Sequence, residues 1–381
     1  MSTLRAVVIG SGLVGSEIAR DLARSNTFSE VVVVDAKAEN LARLKGKKIR
    51  TVKTNVFHGS VLARLLEDSD IVCGALPGRL GFEMMRKVIG AGKDLVDISY
   101  TPQDPFALDS LAKKNNCILV PQCGVAPGLS NICVGDASRR FSKVDAVRIM
   151  VGGLPRHPRP PLNYQFVFSP DDVINEYTRP ARIIDQGHVK FTPALSGMGE
   201  MRFPGVGELE FFVTDGLGTL PTSFPNVNEM AEYTLRYPGH ARIMESLRTI
   251  GLLDKVLIEF DGKSIEPRRV VLELMRSLSR DSGKEDLLAF RVEVRGRIGR
   301  RLGEVRYQML DFYDPRLQAT AMARTTAYTC TAVTHLITQG KIPRKGVVTP
   351  EELGTEERLF RFVKMFLKTR RVLLRIRSLS K

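Results

Sequence analysis

Cysteine, histidine, acidic residues and long apolar runs are all scarce in this 381-residue chain. The five cysteines (Cys73, Cys117, Cys123, Cys133 and Cys330) are odd in number and widely spaced, with no Cys-x-x-Cys pair. Neither a disulfide framework nor a zinc site is signalled, and a reducing, cytoplasmic location is expected. The five histidines (His58, His157, His188, His240 and His335) show no metal-ligand spacing either, so no metal is expected. No apolar run approaches the ~18 residues of a membrane span. Met1 to Arg5 lead straight into an apolar strand, which leaves no expected signal peptide.

Acidic charge is outnumbered, with 42 Asp+Glu against 57 Lys+Arg and a net charge of +15. Such a balance suits nucleic acid, anionic membranes or anionic ligands, so its location decides what it means. Residues 356–381 hold nine basic side chains against two acids, and residues 291–306 hold six arginines against Glu293 and Glu304, which leaves only +4 elsewhere. The body of the protein is close to neutral, and a nucleic-acid partner is not expected. Within the basic tail Leu359, Val363, Phe366 and Leu367 recur at helical spacing. That apolar stripe is expected to pack on the protein itself or on a partner subunit.

Length suggests two or three domains, and 43% hydrophobic with 26% charged residues excludes a disordered or fibrous chain. Six short, nearly unbroken apolar runs alternate with helical patterns: Ala6–Ile9, Val31–Val34, Ile49–Thr54, Ile71–Ala75, Leu95–Ser99 and Ile118–Val120. Helices on both faces of a parallel sheet account for strands that are apolar on both sides, so the fold class is α/β with a doubly wound sheet. From about residue 140 the texture changes to a Pro-rich loop at Gly152–Pro161 and to alternating strands at Leu288–Val294 and Val305–Phe312, the mark of an antiparallel sheet in an inserted α+β domain. Arg295–Gly303 reads as the hairpin turn between those two strands. Thr320–Thr338 reads as a helix stopped by Gly340 and Pro343.

Gly10-Ser11-Gly12-Leu13-Val14-Gly15 follows the first strand and opens a helix, and Asp35 ends the next strand twenty positions later. This is the dinucleotide-binding Rossmann pattern: Gly10 allows the turn, Gly12 lets a pyrophosphate approach the helix N-terminus, and Gly15 lets the helix pack on the strand. Asp35 would accept the adenosine ribose hydroxyls and repel a 2′-phosphate, which favours NAD over NADP, with Lys37 as the reservation. Glycines kept only for packing, or another adenosine cofactor such as S-adenosylmethionine, are the competing readings. Ligands lie at the carboxyl ends of such strands. Asn55 and Val56 are therefore expected near adenine, and Ala75, Leu76 and Pro77 beside the dinucleotide. The expected divisions are a Rossmann domain at 1–125, a substrate domain at 126–315, a returning helix at 316–345 and a basic amphipathic tail at 346–381.

Several segments carry a family resemblance: Val96-Asp97-Ile98-Ser99-Tyr100, Gly124-Val125-Ala126-Pro127-Gly128-Leu129-Ser130-Asn131, Gly152-Gly153-Leu154-Pro155 and Pro160-Pro161-Leu162-Asn163-Tyr164. Glu176-Tyr177-Thr178-Arg179-Pro180-Ala181, Thr234-Leu235-Arg236-Tyr237-Pro238-Gly239-His240 and Ala321-Met322-Ala323-Arg324-Thr325 continue the series. In this order the chain resembles the saccharopine dehydrogenase-like family. Ala126, Val151 and His240 stand where the saccharopine-reductase branch typically has Asp, Cys and Phe. The resemblance is therefore to the branch that oxidises the ε-amine of L-lysine with NAD, and it implies a homodimer.

Hydride can leave an amine-bearing carbon only when the nitrogen is unprotonated, and lysine's amine has a pKa of ~10.4, so a base or a desolvating pocket is needed. His240 is the candidate base, with Arg236 nearby to keep the imidazole neutral; support of the helix beginning near Ala241 is the plainer alternative. Asp97, at the end of the fifth strand, is the second catalytic candidate, facing the amine or a hydrolytic water unless it merely bonds the neighbouring backbone. Tyr100 and Tyr164 are candidate hydroxyl contacts. Arg236 is the candidate fork for the substrate carboxylate, and Asp215 the candidate for its α-ammonium. Three functions compete: lysine oxidation, saccharopine-type reduction, and non-catalytic NAD or polyanion binding.

Overall fold

The structure is a computed structural model and describes residues 4–58, 61–281, 284–299 and 301–380. The chain divides into two units, Met1–Arg140 with Ala323–Leu374, and Phe141–Met322 with Arg375–Lys381. The expected boundary at 125 therefore moves to 140, because helix Leu129–Ser138 belongs to the first unit. There Asn131 Nδ2 donates to Glu351 Oε2 at 3.3 Å, tying it to the helix Pro350–Thr355.

In the first unit β1 (Leu4–Ile9), β2 (Phe28–Asp35), β3 (Ile49–Lys53), β4 (Ile71–Gly74), β5 (Leu95–Asp97) and β6 (Ile118–Val120) correspond to the six expected strands. They run parallel in the order 6-5-4-1-2-3. Val7, Ile9, Val32, Val34, Val72 and Leu95 are buried in the core on one side of this sheet with helix residues Met84, Met85, Val88 and Ile89. That burial is why the strand sequences are apolar without alternation.

The second unit carries β7 (Lys143–Pro155), β8 (Ala181–Asp185), β9 (His188–Thr192), β10 (Gly199–Phe203), β11 (Gly207–Thr214) and β12 (Glu229–Arg236). A small hairpin, β13 (Ile258–Phe260) and β14 (Lys263–Ile265), and two long strands, β15 (Asp286–Ile298) and β16 (Arg301–Phe312), follow. The main sheet runs 10-11-12-7-15-16, with β8 on β12 and β9 on β8. Among the described residues of this sheet only β12 and β7 pair in parallel; the sheet is mixed rather than purely antiparallel. Gly152–Pro155, expected in a loop, closes β7. A Cβ at Gly152 would lie 2.7 Å from the Leu235 carbonyl oxygen, so the glycine lets neighbouring backbone approach. The 295–303 segment is likewise mostly strand, with Arg295 opposite Glu304 and Ile298 opposite Arg301. The charge pair Arg295 Nε–Glu304 Oε2 at 2.9 Å lies across this part of the ladder.

Two short strands complete the sheets. β17 (Gly346–Val347) adds to β6, and β18 (Arg375–Ser380) adds to β16. The tail is therefore divided between the units. Its helix, Glu357–Thr369, buries Leu359, Phe360, Val363 and Leu367, while Phe366 is half-buried beneath the Arg370 guanidinium. The expected stripe thus packs on the protein's own first unit. Among the described residues no helix is long and apolar enough to cross a membrane, and no cluster of metal-ligating side chains is present.

Candidate functional site

In the first unit β1 runs into the helix Leu13–Arg24, whose N-cap, Gly12, provides no side-chain cap. A Cβ at Gly10 would lie 2.4 Å from the Ala75 carbonyl oxygen, and one at Gly15 would lie 2.1 Å from that of Gly10. These two glycines are demanded by the protein's own packing. At Gly12 a Cβ would meet nothing within 4 Å. Open space therefore faces a helix end with uncapped N–H groups and the positive end of the helix dipole, which fits the pyrophosphate of a dinucleotide.

Asp35 stands beside this turn at the tip of β2. Its Oδ2 accepts from Ser11 N at 2.8 Å, Ser11 Oγ at 3.2 Å and Asn40 Nδ2 at 3.3 Å, and its Oδ1 accepts from Lys37 N at 2.8 Å. Every donor is uncharged. Ala75 N donates to Ile9 O at 2.8 Å, and Leu76 O accepts from Ser99 Oγ at 3.0 Å, so the loop after β4 is held near the turn. Pro77 is exposed and starts the helix Gly78–Gly90. Asn55 shapes its own loop by accepting from Phe57 N at 3.0 Å. Val56, expected near adenine, is packed in the core of the unit.

Asp97 makes the local bonds that were its plainer alternative. Its carboxyl is fully buried, with Oδ1 accepting from Ser99 N at 2.8 Å and Oδ2 from Ser99 Oγ at 3.2 Å, so it turns into its own loop instead of toward solvent. Burial pushes its pKa up to about 8, and the Ser99 hydrogen bonds offset this only in part. Tyr100, on the following loop, is half-buried.

The second unit gathers His240, Arg236 and Tyr164 with Tyr177 and Glu176, two residues from a matched segment to which spacing assigned no role. His240 Nδ1 lies 2.8 Å from the Leu162 carbonyl, which can only accept, so Nδ1 carries the proton. Nε2 then accepts from the Tyr177 hydroxyl at 2.9 Å, and that oxygen accepts from Arg236 Nε at 3.2 Å. The remaining Arg236 nitrogens donate to the Leu235 carbonyl, at 2.9 Å, and to the Glu176 carboxylate. The guanidinium also stacks 4.5 Å over the Tyr164 ring.

Burial, reinforced by the Arg236 charge, lowers the His240 pKa to about 3, so the imidazole is neutral. Burial likewise raises Tyr177 to about 12 against the pull of Arg236. Both His240 nitrogens and all three Arg236 nitrogens are therefore engaged within the protein. The expected free base and free carboxylate fork are here members of one internal network. Capping of the following helix falls instead to Glu210, whose carboxylate accepts from Gly239 N at 2.8 Å and from Ala241 N. Asp215 is paired with Arg179, Oδ2 to Nε at 3.1 Å. The missed signal was parity: on β12 the inward positions Met230, Glu232, Thr234 and Arg236 include two charges where alternation calls for apolar side chains.

A parallel sheet ordered 3-2-1-4-5-6, a glycine turn into an uncapped helix and an acid ending the second strand define a Rossmann-type nucleotide-cofactor domain, here joined to an α+β unit. The chain belongs to the saccharopine dehydrogenase family, whose chemistry is of the amino-acid dehydrogenase type. The family's NADP binding domain matches residues 6–120 and its C-terminal domain residues 124–369. Saccharopine dehydrogenase (NADP+, L-glutamate-forming) of Saccharomyces cerevisiae is 23% identical over 296 residues, 74% of this chain and 66% of that relative. Alpha-aminoadipic semialdehyde synthase of Rattus norvegicus is 24% identical over 269 residues, 67% of this chain and 29% of that protein. The solved apo saccharopine dehydrogenase (L-Glu forming) of Saccharomyces cerevisiae superposes with a TM-score of 0.77 at 16% identity, covering 99% of this chain and 100% of that one. That likeness establishes the shared fold.

Proposed function

We propose that this protein is a NAD-dependent dehydrogenase acting on the ε-amine-bearing carbon of L-lysine. Its products are ammonia and the 6-semialdehyde, which cyclises to 1-piperideine 6-carboxylate. The observation that carries the reading is the open space at Gly12 above an uncapped helix N-terminus, with the Asp35 carboxylate beside it. An acid at that place suits a ribose diol and disfavours a 2′-phosphate, hence NAD. Lysine rather than saccharopine rests on Ala126, Val151 and His240. When bound, NAD supplies the hydride acceptor. Asp97 and His240 are the proton-handling candidates, Arg236 and Asp215 the charged groups for the substrate, Tyr100 and Tyr164 its hydroxyl contacts, and a homodimer is the assembly.

A saccharopine-type reductase is the second reading, favoured by the names of the relatives. The near-ultraviolet absorbance of reduced nicotinamide separates the two. NADH should form from L-lysine and NAD without 2-oxoglutarate, and should fall with His240→Ala or Asp97→Asn. Consumption of reduced cofactor only when an amine and an oxo acid are both supplied would establish the second reading. Absence of turnover with any amino acid, with NAD or NADP, would remove both. Sedimentation equilibrium checks the dimer.

A further inference from the structure

Glu232 differs from the other buried carboxyls of the second unit. It is 5% exposed, and its Oε2 is buried with no hydrogen-bond partner. Its neighbours are already engaged: Glu176 takes Arg236, and Asp215 takes Arg179 Nε at 3.1 Å and Arg182 N at 3.4 Å. Leaving a buried carboxyl without a donor is costly. Burial pushes its pKa up to about 8; the Glu176 and Asp215 charges add to this and Arg179 opposes it. The backbone is nevertheless shaped for it. A Cβ on Gly216 would lie 1.8 Å from Glu232 Oε2, so only glycine lets the carboxyl rest against that turn. The cluster also reaches solvent, since the Arg179, Glu176 and Asp215 side chains are 33%, 22% and 16% exposed.

We propose that Glu232, flanked by Glu176 and Asp215, is a subsite for a primary ammonium group, the α-ammonium of the amino-acid substrate. An ammonium brings three N–H donors and no acceptor, which matches an unsatisfied buried acceptor with two further carboxyls beside it. The subsite rests on the amino-acid dehydrogenase reading and moves the α-ammonium from Asp215, already held by Arg179, to Glu232.

Glu232→Gln keeps the size and removes the charge. With L-lysine its KM should rise about tenfold or more while kcat stays within about threefold, as for loss of a charge-assisted hydrogen bond. With 6-aminohexanoate, which lacks the α-ammonium, the same variant should match the wild type. Gly216→Ala, which displaces the carboxyl from the other side, should raise KM in the same direction. Titration calorimetry of the full chain with L-lysine and with 6-aminohexanoate reads binding without turnover. Wild type that binds L-lysine but does not turn it over breaks the functional reading alone. Glu232→Gln that binds L-lysine like the wild type, or that loses both ligands equally, overturns the subsite, as does wild type that binds no amine.

Discussion

In the first unit, Asp97 receives both of its donors from Ser99, two residues along the chain. In the second, Arg236 reaches back 59 and 60 residues to Tyr177 and Glu176, and His240 reaches back 78 to Leu162. Both arrangements bury ionisable groups, but the first is a local loop that any strand end can form. The second exists only when several elements have docked. A local arrangement should tolerate substitution, whereas a collective one should fail as a whole when one member is lost.

The sharpest way to break this contrast is Arg236→Met. It leaves the half-buried Glu176 carboxylate and the buried Tyr177 oxygen without this donor, and should cost ~2–4 kcal/mol in denaturant unfolding. A loss below about 1 kcal/mol would mean that the network does not hold the unit together.

Asp97 tests the local side through pH. Its folded pKa of about 8 lies above the ordinary 3.8, so its contribution to stability is whole below about pH 4 and is lost as pH rises to about 8. Asp97→Asn should therefore gain about 2 kcal/mol or more over the wild type at pH 9 and little at pH 4. Parallel pH profiles would contradict the inward carboxyl. His240 has the opposite sign: with a folded pKa lowered to about 3 from 6.5, it favours the fold above pH 6.5 and loses that contribution as pH falls toward 3.

The glycines of the turn offer a smaller contrast. Gly15→Ala places a methyl 2.1 Å from the Gly10 carbonyl oxygen and should cost ~1–3 kcal/mol of stability. Gly12→Ala should leave the melting temperature unchanged and weaken dinucleotide binding about tenfold, because its Cβ fills only the space a ligand would use. Equal effects of the two on stability would remove the distinction. Smallest in its effect on binding is Asp35→Ser, expected to shift the NAD-to-NADP preference about tenfold toward NADP. An unchanged preference would take Asp35 out of cofactor selection.

Much of the first unit was legible because its signals are short-range. Apolar runs, a glycine spacing and one acid located the six strands and the turn; β17, only two residues long, had no signal of its own. The second unit was legible in class but not in detail. Tyr164, Arg236 and His240, each read from the sequence as a site residue, lie in one network, yet their engagement with Tyr177, Glu176 and Leu162 depends on how β12 packs against its helices. Charge shows the same limit. The two basic segments, counted separately in the sequence, become neighbours when β18 pairs with β16 and Arg377 falls opposite Arg306, with Glu293 and Glu304 interleaved.

Spacing along the chain thus dictates the parallel sheet, the phosphate-binding turn, the near-neutral body and the helical stripe of the tail, since each arises from residues within a few turns or strands of one another. Packing alone decides that Asp97 faces inward, that His240 is neutral and hydrogen-bonded on both sides, and that Glu232 is left without a donor. Burial and long-range partners set the protonation of those groups, and neither is encoded in their immediate neighbours.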